Sequence, residues 1–291
     1  MSDLLTWTAA ATLLLGFGSG VLAGMFGIGG AVLTTPAIRL LGATPIEGVG
    51  STVPAILPGS ISGAYRYAKE GLVSWRVGLI CGLTGALFAA LGAKTSDLID
   101  GRYLMVLTAG LMAFSGISVI RSARSGEVLA AVPAAGSEGE AAESIVVDDP
   151  AAEHAEPADP DGMPVDANLG LVLLMAVGAS AGGLAGLLGV GGGIVMVPAF
   201  TGLLRLPMKL AVGSSLVAVA IFSVPALVTH AVLGHIAWRF AIPLVIGVVP
   251  GAQVGARLSF ASSDTLVRRM FGWSVLTMSV VYGGTELLGL R

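Results

Sequence analysis

One cysteine in 291 residues, Cys81, leaves no partner for an internal disulfide and no thiolate cluster for zinc or an iron–sulfur centre. Histidine is nearly as scarce: His154, His230 and His235 are all there is, and no HExxH occurs. The last two are five apart, off a shared helix face, so they read as interface residues rather than metal ligands. Charge is thin as well, with Asp, Glu, Lys and Arg making up 11% of the chain against about a quarter in a soluble domain. Outside one acidic stretch the acids are Asp3, Glu47, Glu70, Asp97, Asp100, Asp264 and Glu286, all near the ends of apolar blocks. No mid-span carboxylate is therefore placed to relay protons or hold a cation. A dinucleotide fingerprint is missing too, since "GIGGAV" has Val32 where the last glycine of GxGxxG belongs and sits in a helical context. The chain reads as a non-enzyme with no cofactor, no metal and no nucleic-acid partner.

What fills the chain is apolar: 55% hydrophobic residues, a mean hydropathy of +0.89 and 43 glycines. This composition predicts an all-α, polytopic protein whose solvent is the lipid bilayer. Blocks 4–26, 49–68, 77–93, 103–120, 169–188, 212–233, 240–256 and 266–288 approach the length of about 20 residues needed to cross roughly 30 Å of hydrocarbon. Blocks 31–41 and 194–204 are too short. The start, "MSDLLTWTAA", lacks a basic region and runs straight into an apolar block, so it reads as a first span and not as a cleaved signal.

The net charge of −3 hides two opposed populations. Eleven of the 18 acids fall between Ser125 and Ala167, with no Lys or Arg among them. The remaining seven acids face 15 basic residues, a net +8 for the membrane body. The acidic stretch is rich in Ala and Pro ("AEPADPDGMP") and too poor in apolar residues to form a core, so it reads as a disordered linker. A solvated spacer is its simplest role; regulation, binding or an acid-surface adaptation are the alternatives. The chain thus divides into a first membrane repeat at 1–124, the linker at 125–168 and a second membrane repeat at 169–291.

The two halves match. Gly16, Gly20, Gly24, Gly27, Gly29, Gly30 and Pro36 recur 162 residues later as Gly178, Gly182, Gly186, Gly189, Gly191, Gly192 and Pro198. One residue further on in register, Gly50, Ser51, Gly71, Trp75, Arg76, Gly92 and Lys94 recur as Gly213, Ser214, Gly234, Trp238, Arg239, Gly255 and Arg257. This is the signature of an internal duplication. If each short block returns the chain to the side it came from, the halves are inverted, and the basic residues near span ends divide ten against five. If the short blocks are surface loops, the halves are parallel and the division is seven against eight. Only the inverted arrangement gives the excess that the positive-inside rule expects, and it places the linker in the cytoplasm and both termini outside.

Glycines and a proline inside apolar blocks, in "GMFGIGGAVLTTP" and "GLLGVGGGIVMVP", mean irregular backbone at membrane depth. Such backbone is tolerated only where protein buries it or a cavity hydrates it. Each half is therefore expected to hold about four full spans plus a broken-helix re-entrant segment, the two breaks meeting near the midplane. The returning half-helix presents unpaired N–H groups and the positive end of its dipole, so a small anion is the expected substrate. Candidate substrate contacts are Gly27, Gly29, Gly30 and Pro36 with Gly189, Gly191, Gly192, Gly193 and Pro198, and the hydroxyls Ser51, Thr52, Ser214 and Ser215. Arg76, Arg239 and Gln253 are candidates for the pathway, and Arg66 with Lys69 for attraction at a mouth. Plainer roles stand beside these: helix packing for the GxxxGxxxG runs, capping for the serines, topological anchoring for the arginines, and a bond to a neighbouring helix for Gln253. With no proton carrier in view, a facilitator driven by the membrane potential would suffice, each unit charge gaining about 2.3 kcal/mol per 100 mV. A non-transporting structural or interaction protein is the rival class.

The doubled GxxxGxxGxGG(G)xxxxP pattern, at 20–36 and 182–198, is followed in each half by a Gly-Ser pair and then by "GLVSWR" or "GHIAWR". In this the chain resembles the sulfite exporter TauE/SafE family of membrane permeases, over roughly 120 residues of each half. The resemblance implies transport of small sulfur-containing or organic anions such as sulfite, sulfonates or sulfoacetate, often as export across the cell membrane. One departure is Ala31, which stands where the second copy has Gly193 and where a third glycine is common. That points to Gly191, Gly192 and Gly193 as the closer approach to a substrate. The sequence sets neither the anion nor the oligomeric state.

Overall fold

The computed structural model describes residues 2–130 and 167–287, and these form an all-helical protein. The first half contributes α1 (Ser2–Phe26), α2 (Ala31–Leu40), α3 (Pro45–Lys69), α4 (Trp75–Thr95) and α5 (Gly101–Ala130). The second contributes α6 (Ala167–Leu188), α7 (Gly193–Gly202), α8 (Met208–Val232), α9 (Trp238–Ala261) and α10 (Asp264–Leu287). Helix α5 thus continues to Ala130 and α6 opens at Ala167, while the rest of the acidic segment, 131–166, lies outside the described residues.

Among the described residues six helices, α1, α4, α5, α6, α8 and α9, are long and apolar enough to cross a membrane. The sequence suggested eight. Helices α3 and α10 have the length, 25 and 24 residues, without the composition. The reason in α3 is its position inside the protein: Ser51, Thr52 and Ser60 are all fully buried, so this helix meets other helices where a lipid-facing one would meet hydrocarbon. By contrast α4 turns Leu83, Leu87 and Leu91 outward.

The glycine runs decide how the halves dock. A Cβ on Gly20 would lie 2.9 Å from the Val248 Cα, and one on Gly24 the same distance from the Ala252 Cα, so α1 lies backbone to backbone along α9 and parallel to it. Helix α6 does the same on α4, where a Cβ on Gly178 would lie 2.7 Å from the Cys81 Cα and one on Gly186 2.9 Å from the Ala93 nitrogen. Each half therefore lends its first helix to the fourth helix of the other. Small residues permit this close approach, which supplies the van der Waals contact that holds helices together in lipid.

Helices α3 and α8, which match in the two halves, run in opposite directions. Gly50, near the start of α3, sits against His235 just beyond the end of α8, while Gly213, near the start of α8, sits against Tyr67 and Leu72 at the end of α3. Helices α5 and α10 cross in the same sense: Gly116 abuts Gly272, and the Ser279 hydroxyl donates to the Ala109 carbonyl at 2.8 Å.

Helix α3 opens with a capping box that has a pH consequence. The Thr44 N–H donates to the Glu47 carboxylate at 2.9 Å and the Glu47 N–H donates to the Thr44 hydroxyl at 3.3 Å. The bond from the Thr44 backbone holds the carboxyl below the usual carboxylate range against the opposing effect of partial burial, with smaller help from the Thr44 side chain and the Arg239 guanidinium. A carboxylate with a lowered folded pKa stabilises the fold above its unfolded pKa, and that contribution is lost as pH falls through the folded value. Glu47→Gln keeps an acceptor for the Thr44 N–H and loses only the charge, so it is expected to lower stability at neutral pH by on the order of 0.3–1 kcal/mol, the scale of a carboxylate at a helix start. Melting curves of the variant and the parent should converge as the pH drops below the carboxylate range.

Candidate functional site

The two short helices open from matching turns of left-handed backbone. Gly27, Gly29 and Gly30 have φ of 73°, 82° and 83°; Gly189, Gly191 and Gly192 have 64°, 89° and 61°. A side chain in this region costs roughly 1–2 kcal/mol per residue, which is why glycine occupies it. Gly193 has no such φ and is small for another reason: a Cβ there would fall on the Gly27 carbonyl and 2.8 Å from the Ile28 Cα. Gly191 would put its Cβ 2.7 Å from the Ile28 carbonyl oxygen. At Gly191 and Gly193 the closest neighbour is thus the backbone of the first break.

Depth follows from what flanks the pair. A Cβ on Gly191 would be 3.6 Å from Ile56 Cδ1, and one on Gly29 would be 3.2 Å from Val219 Cγ1. Ile56 and Val219 stand midway along α3 and α8, so the breaks meet halfway through the bundle. All seven break glycines are buried. The short helices begin at Gly30 and Gly192, neither of which offers a side-chain cap.

The four matched hydroxyls frame this contact. Thr52 Oγ1 donates to Val49 O at 2.8 Å and lies 3.2 Å from Gly189 O; Ser215 Oγ stands 2.8 Å from Val212 O and 3.2 Å from Gly27 O. Ser51 Oγ accepts from the Ala237 N–H at 2.8 Å, and Ser214 Oγ accepts from the Ser74 N–H at 2.9 Å. Ala237 and Ser74 are the N-cap residues of α9 and α4. Ser51 and Ser214 therefore each secure a helix start of the opposite half, while Thr52 and Ser215 stand against the carbonyls at which the opposite half breaks. The bonds that Ser51 and Ser214 accept leave their own O–H groups uncommitted.

Pro36 and Pro198 each occupy the sixth position of a short helix, where proline cannot donate to the carbonyl four residues back. For Pro198 that carbonyl is Ile194 O, and Ser115 Oγ of α5 supplies the missing donor at 2.6 Å. Sequence reasoning missed Ser115; the signal was Pro198 itself, whose lost N–H calls for a replacement. Ser115→Ala is expected to cost about 1–3 kcal/mol by leaving a buried acceptor unpaired. Thermal unfolding in detergent, compared with Ser118→Ala on the same helix, checks this.

The other pathway candidates lie elsewhere. Arg76 and Arg239 are exposed beside Trp75 and Trp238, with the Arg239 guanidinium 4.7 Å from the centre of the Phe240 ring. Lys69 stands over the Tyr65 ring at 4.6 Å, and Gln253 is on the exposed face of α9. The atoms nearest the break glycines belong to none of these residues. Among the described residues no cluster of three or more His, Cys, Asp or Glu forms a metal site.

The model of the family described as "Sulfite exporter TauE/SafE" matches residues 12–282, which takes in both breaks and all or most of every helix named above. A "Probable membrane transporter protein" of Xylella fastidiosa (strain 9a5c) is 30% identical over 276 residues, 92% of this chain and 90% of its own. The "Probable membrane transporter protein YunE" of Bacillus subtilis (strain 168) is 26% identical over 255 residues, 84% of this chain and 86% of its own. No solved structure matches significantly. With a duplicated glycine break in each half and a family match spanning both, the chain belongs to the sulfite exporter TauE/SafE family of membrane proteins.

Proposed function

We propose that this transporter is an inverted-repeat permease that moves small sulfur-containing or organic anions, of the sulfite, sulfonate or sulfoacetate type, outward across the cell membrane. The observation that carries the reading is the meeting of the two breaks halfway through the bundle, Gly29 against Gly191 and Gly193 against Gly27, each leading into a helix start, at Gly30 and Gly192, that has no side-chain cap. Helix starts aim N–H groups and a positive dipole end at an anion, and transporters built from inverted repeats place their sites at such broken helices. The opposed directions of α3 and α8 support an axis in the membrane plane, since an axis along the normal would leave matching helices parallel. The same arrangement makes α1–α2 and α6–α7 re-entrant from opposite sides, with the linker cytoplasmic and both termini outside.

In this reading Gly27, Gly29, Gly30, Gly189, Gly191, Gly192 and Gly193 form the substrate floor, and Ser51, Thr52, Ser214 and Ser215 hold it in shape. The breaks touch in the state described, so an anion enters when they part. Uptake of labelled methanesulfonate, sulfite and chloride into proteoliposomes tests this. Saturable flux selective for the sulfur anions is the expected result. Absence of flux for every anion, in protein of verified orientation, would replace transport by a structural or interaction role.

A further inference from the structure

The duplicated scaffold repeats its contacts at both ends, and one place breaks the pattern. At the end where α8 starts, Gly213 meets Tyr67 and Leu72; at the end where α3 starts, Gly50 meets His235. His230 and His235 stand 163 residues after Tyr67 and Leu72, so the two pairs occupy matching positions. The first pair is apolar packing, with Tyr67 edge-on to Phe260 at a centroid distance of 4.8 Å. The second is two imidazoles whose Nδ1 atoms are 3.0 Å apart, His230 fully buried and His235 7% exposed.

The bonds fix how this pair handles protons. His230 Nε2 lies 3.1 Å from the Gly186 carbonyl, which can only accept, so that nitrogen carries hydrogen. In the neutral ring Nδ1 then bears a lone pair, and His235 Nδ1 must donate to it. One added proton gives an imidazolium–imidazole pair, with its charge shared across a hydrogen bond. Two would set N–H against N–H at the same 3.0 Å and break the pair. The Gly186 carbonyl belongs to the last turn of α6, three residues before the left-handed Gly189, and a cation is favoured at that end of a helix. At this end of the bundle the charged groups on the surrounding elements are Glu47 in the first turn of α3, Arg239 in the first turn of α9, Lys94 in the last turn of α4 and Arg39 in the last turn of α2, whose side chain packs on Gly48; α6 carries none.

We propose that His230 and His235 form a one-proton binding site that gates the anion path at one end only, with the protonated pair favouring anion passage; the gate rests on the transport reading above. Positive charge beside the path raises the local anion concentration, and its bond to Gly186 transmits the change to the second break. The matching end, with Tyr67 and Leu72, has no equivalent. The scaffold also supplies the control variant, because H230Y/H235L copies side chains it already accepts at the matching place.

Two measurements test this. The first is nitrogen-15 NMR of histidine-labelled protein in lipid nanodiscs, on an H154Q background that leaves only the pair. Both rings should shift with one common midpoint and take up one proton between them. Two independent titrations, or none between pH 8.5 and 4.5, would overturn the site. The second is methanesulfonate flux in oriented proteoliposomes with the pH varied on each side separately. Flux should rise several-fold from pH 8 to 5.5 when the side facing the pair is acidified, stay flat when the other side is, and lose its dependence in H230Y/H235L. H235Q, which keeps an N–H donor for His230, serves the same purpose should the double variant fail to fold. Dependence retained in these variants, or equal from both sides, would overturn the gate. No flux even from the parent protein would overturn the transport reading and the gate with it, while the titration judges the proton site on its own.

Discussion

Gly192→Val is expected to abolish anion flux while the protein still reaches the membrane. Gly192 has a φ of 61°, a region costing roughly 1–2 kcal/mol for any side chain and more for a β-branched one. Its Cβ would also lie 3.0 Å from the Ala181 carbonyl and strike the tip of the Phe222 ring. A ring tip can swing aside, so the fold survives with the second break displaced. Gly193 gives the sharper comparison. It pays no conformational penalty, yet its Cβ would fall on the backbone of Gly27 and Ile28, which has no side chain to move. Gly193→Ala should therefore reduce flux more than Gly192→Ala, and a Phe222→Leu change should partly rescue Gly192→Ala only. The reverse order, read from proteoliposome flux at equal protein, would mean that conformational freedom and not backbone contact is what the breaks require.

The second large effect separates two adjacent glycines. Gly182→Ala should collapse the protein, since its Cβ would lie 2.5 Å from the Gly85 Cα on α4 and the helices would have to separate along their length. Gly183→Ala meets only Phe88, with Cβ atoms 3.7 Å apart, which is ordinary contact. In a helix this change gains roughly 0.5–1 kcal/mol. Fluorescence-detected size-exclusion profiles after heating should show little intact Gly182→Ala and a Gly183→Ala peak at or above the parental level. Comparable profiles for the two would remove the backbone contact between α6 and α4 from any account of stability.

Features with a local cause were legible in the sequence. Helix breakers inside apolar blocks gave both breaks, because a left-handed turn and a backbone contact each demand glycine at a specific position. The matching hydroxyls were legible as a set, and their partners were not: Thr52 reaches Gly189 and Ser215 reaches Gly27 across 137 and 188 residues. No local pattern encodes such a pairing. Eight apolar blocks were legible from hydropathy, and six of the described helices that hold them are long and apolar enough to cross a membrane; α3, a central helix that packs its serines and threonines against other helices, has the length without the composition. The histidine pair was misread for a definite reason. A five-residue spacing is off-face on a continuous helix, but α8 ends at Val232, Gly234 turns with a φ of 73°, and the His235 N–H returns to the His230 carbonyl at 3.0 Å.

The exchange of first helices has a consequence for biosynthesis. Helix α1 is made first, yet the surface it rests on, α9, is made nearly last. Until then its Gly16, Gly20 and Gly24 face has no partner, and the same holds for α4 until α6 arrives. Neither half is a folding unit, so the newly inserted first half must wait in the membrane as an open cluster of helices. Because both halves belong to one chain, the late partner is present at high effective concentration, and assembly is a step within one molecule. Chains severed there should recombine when both pieces are made together, and a first half made alone should be cleared by the membrane's proteases.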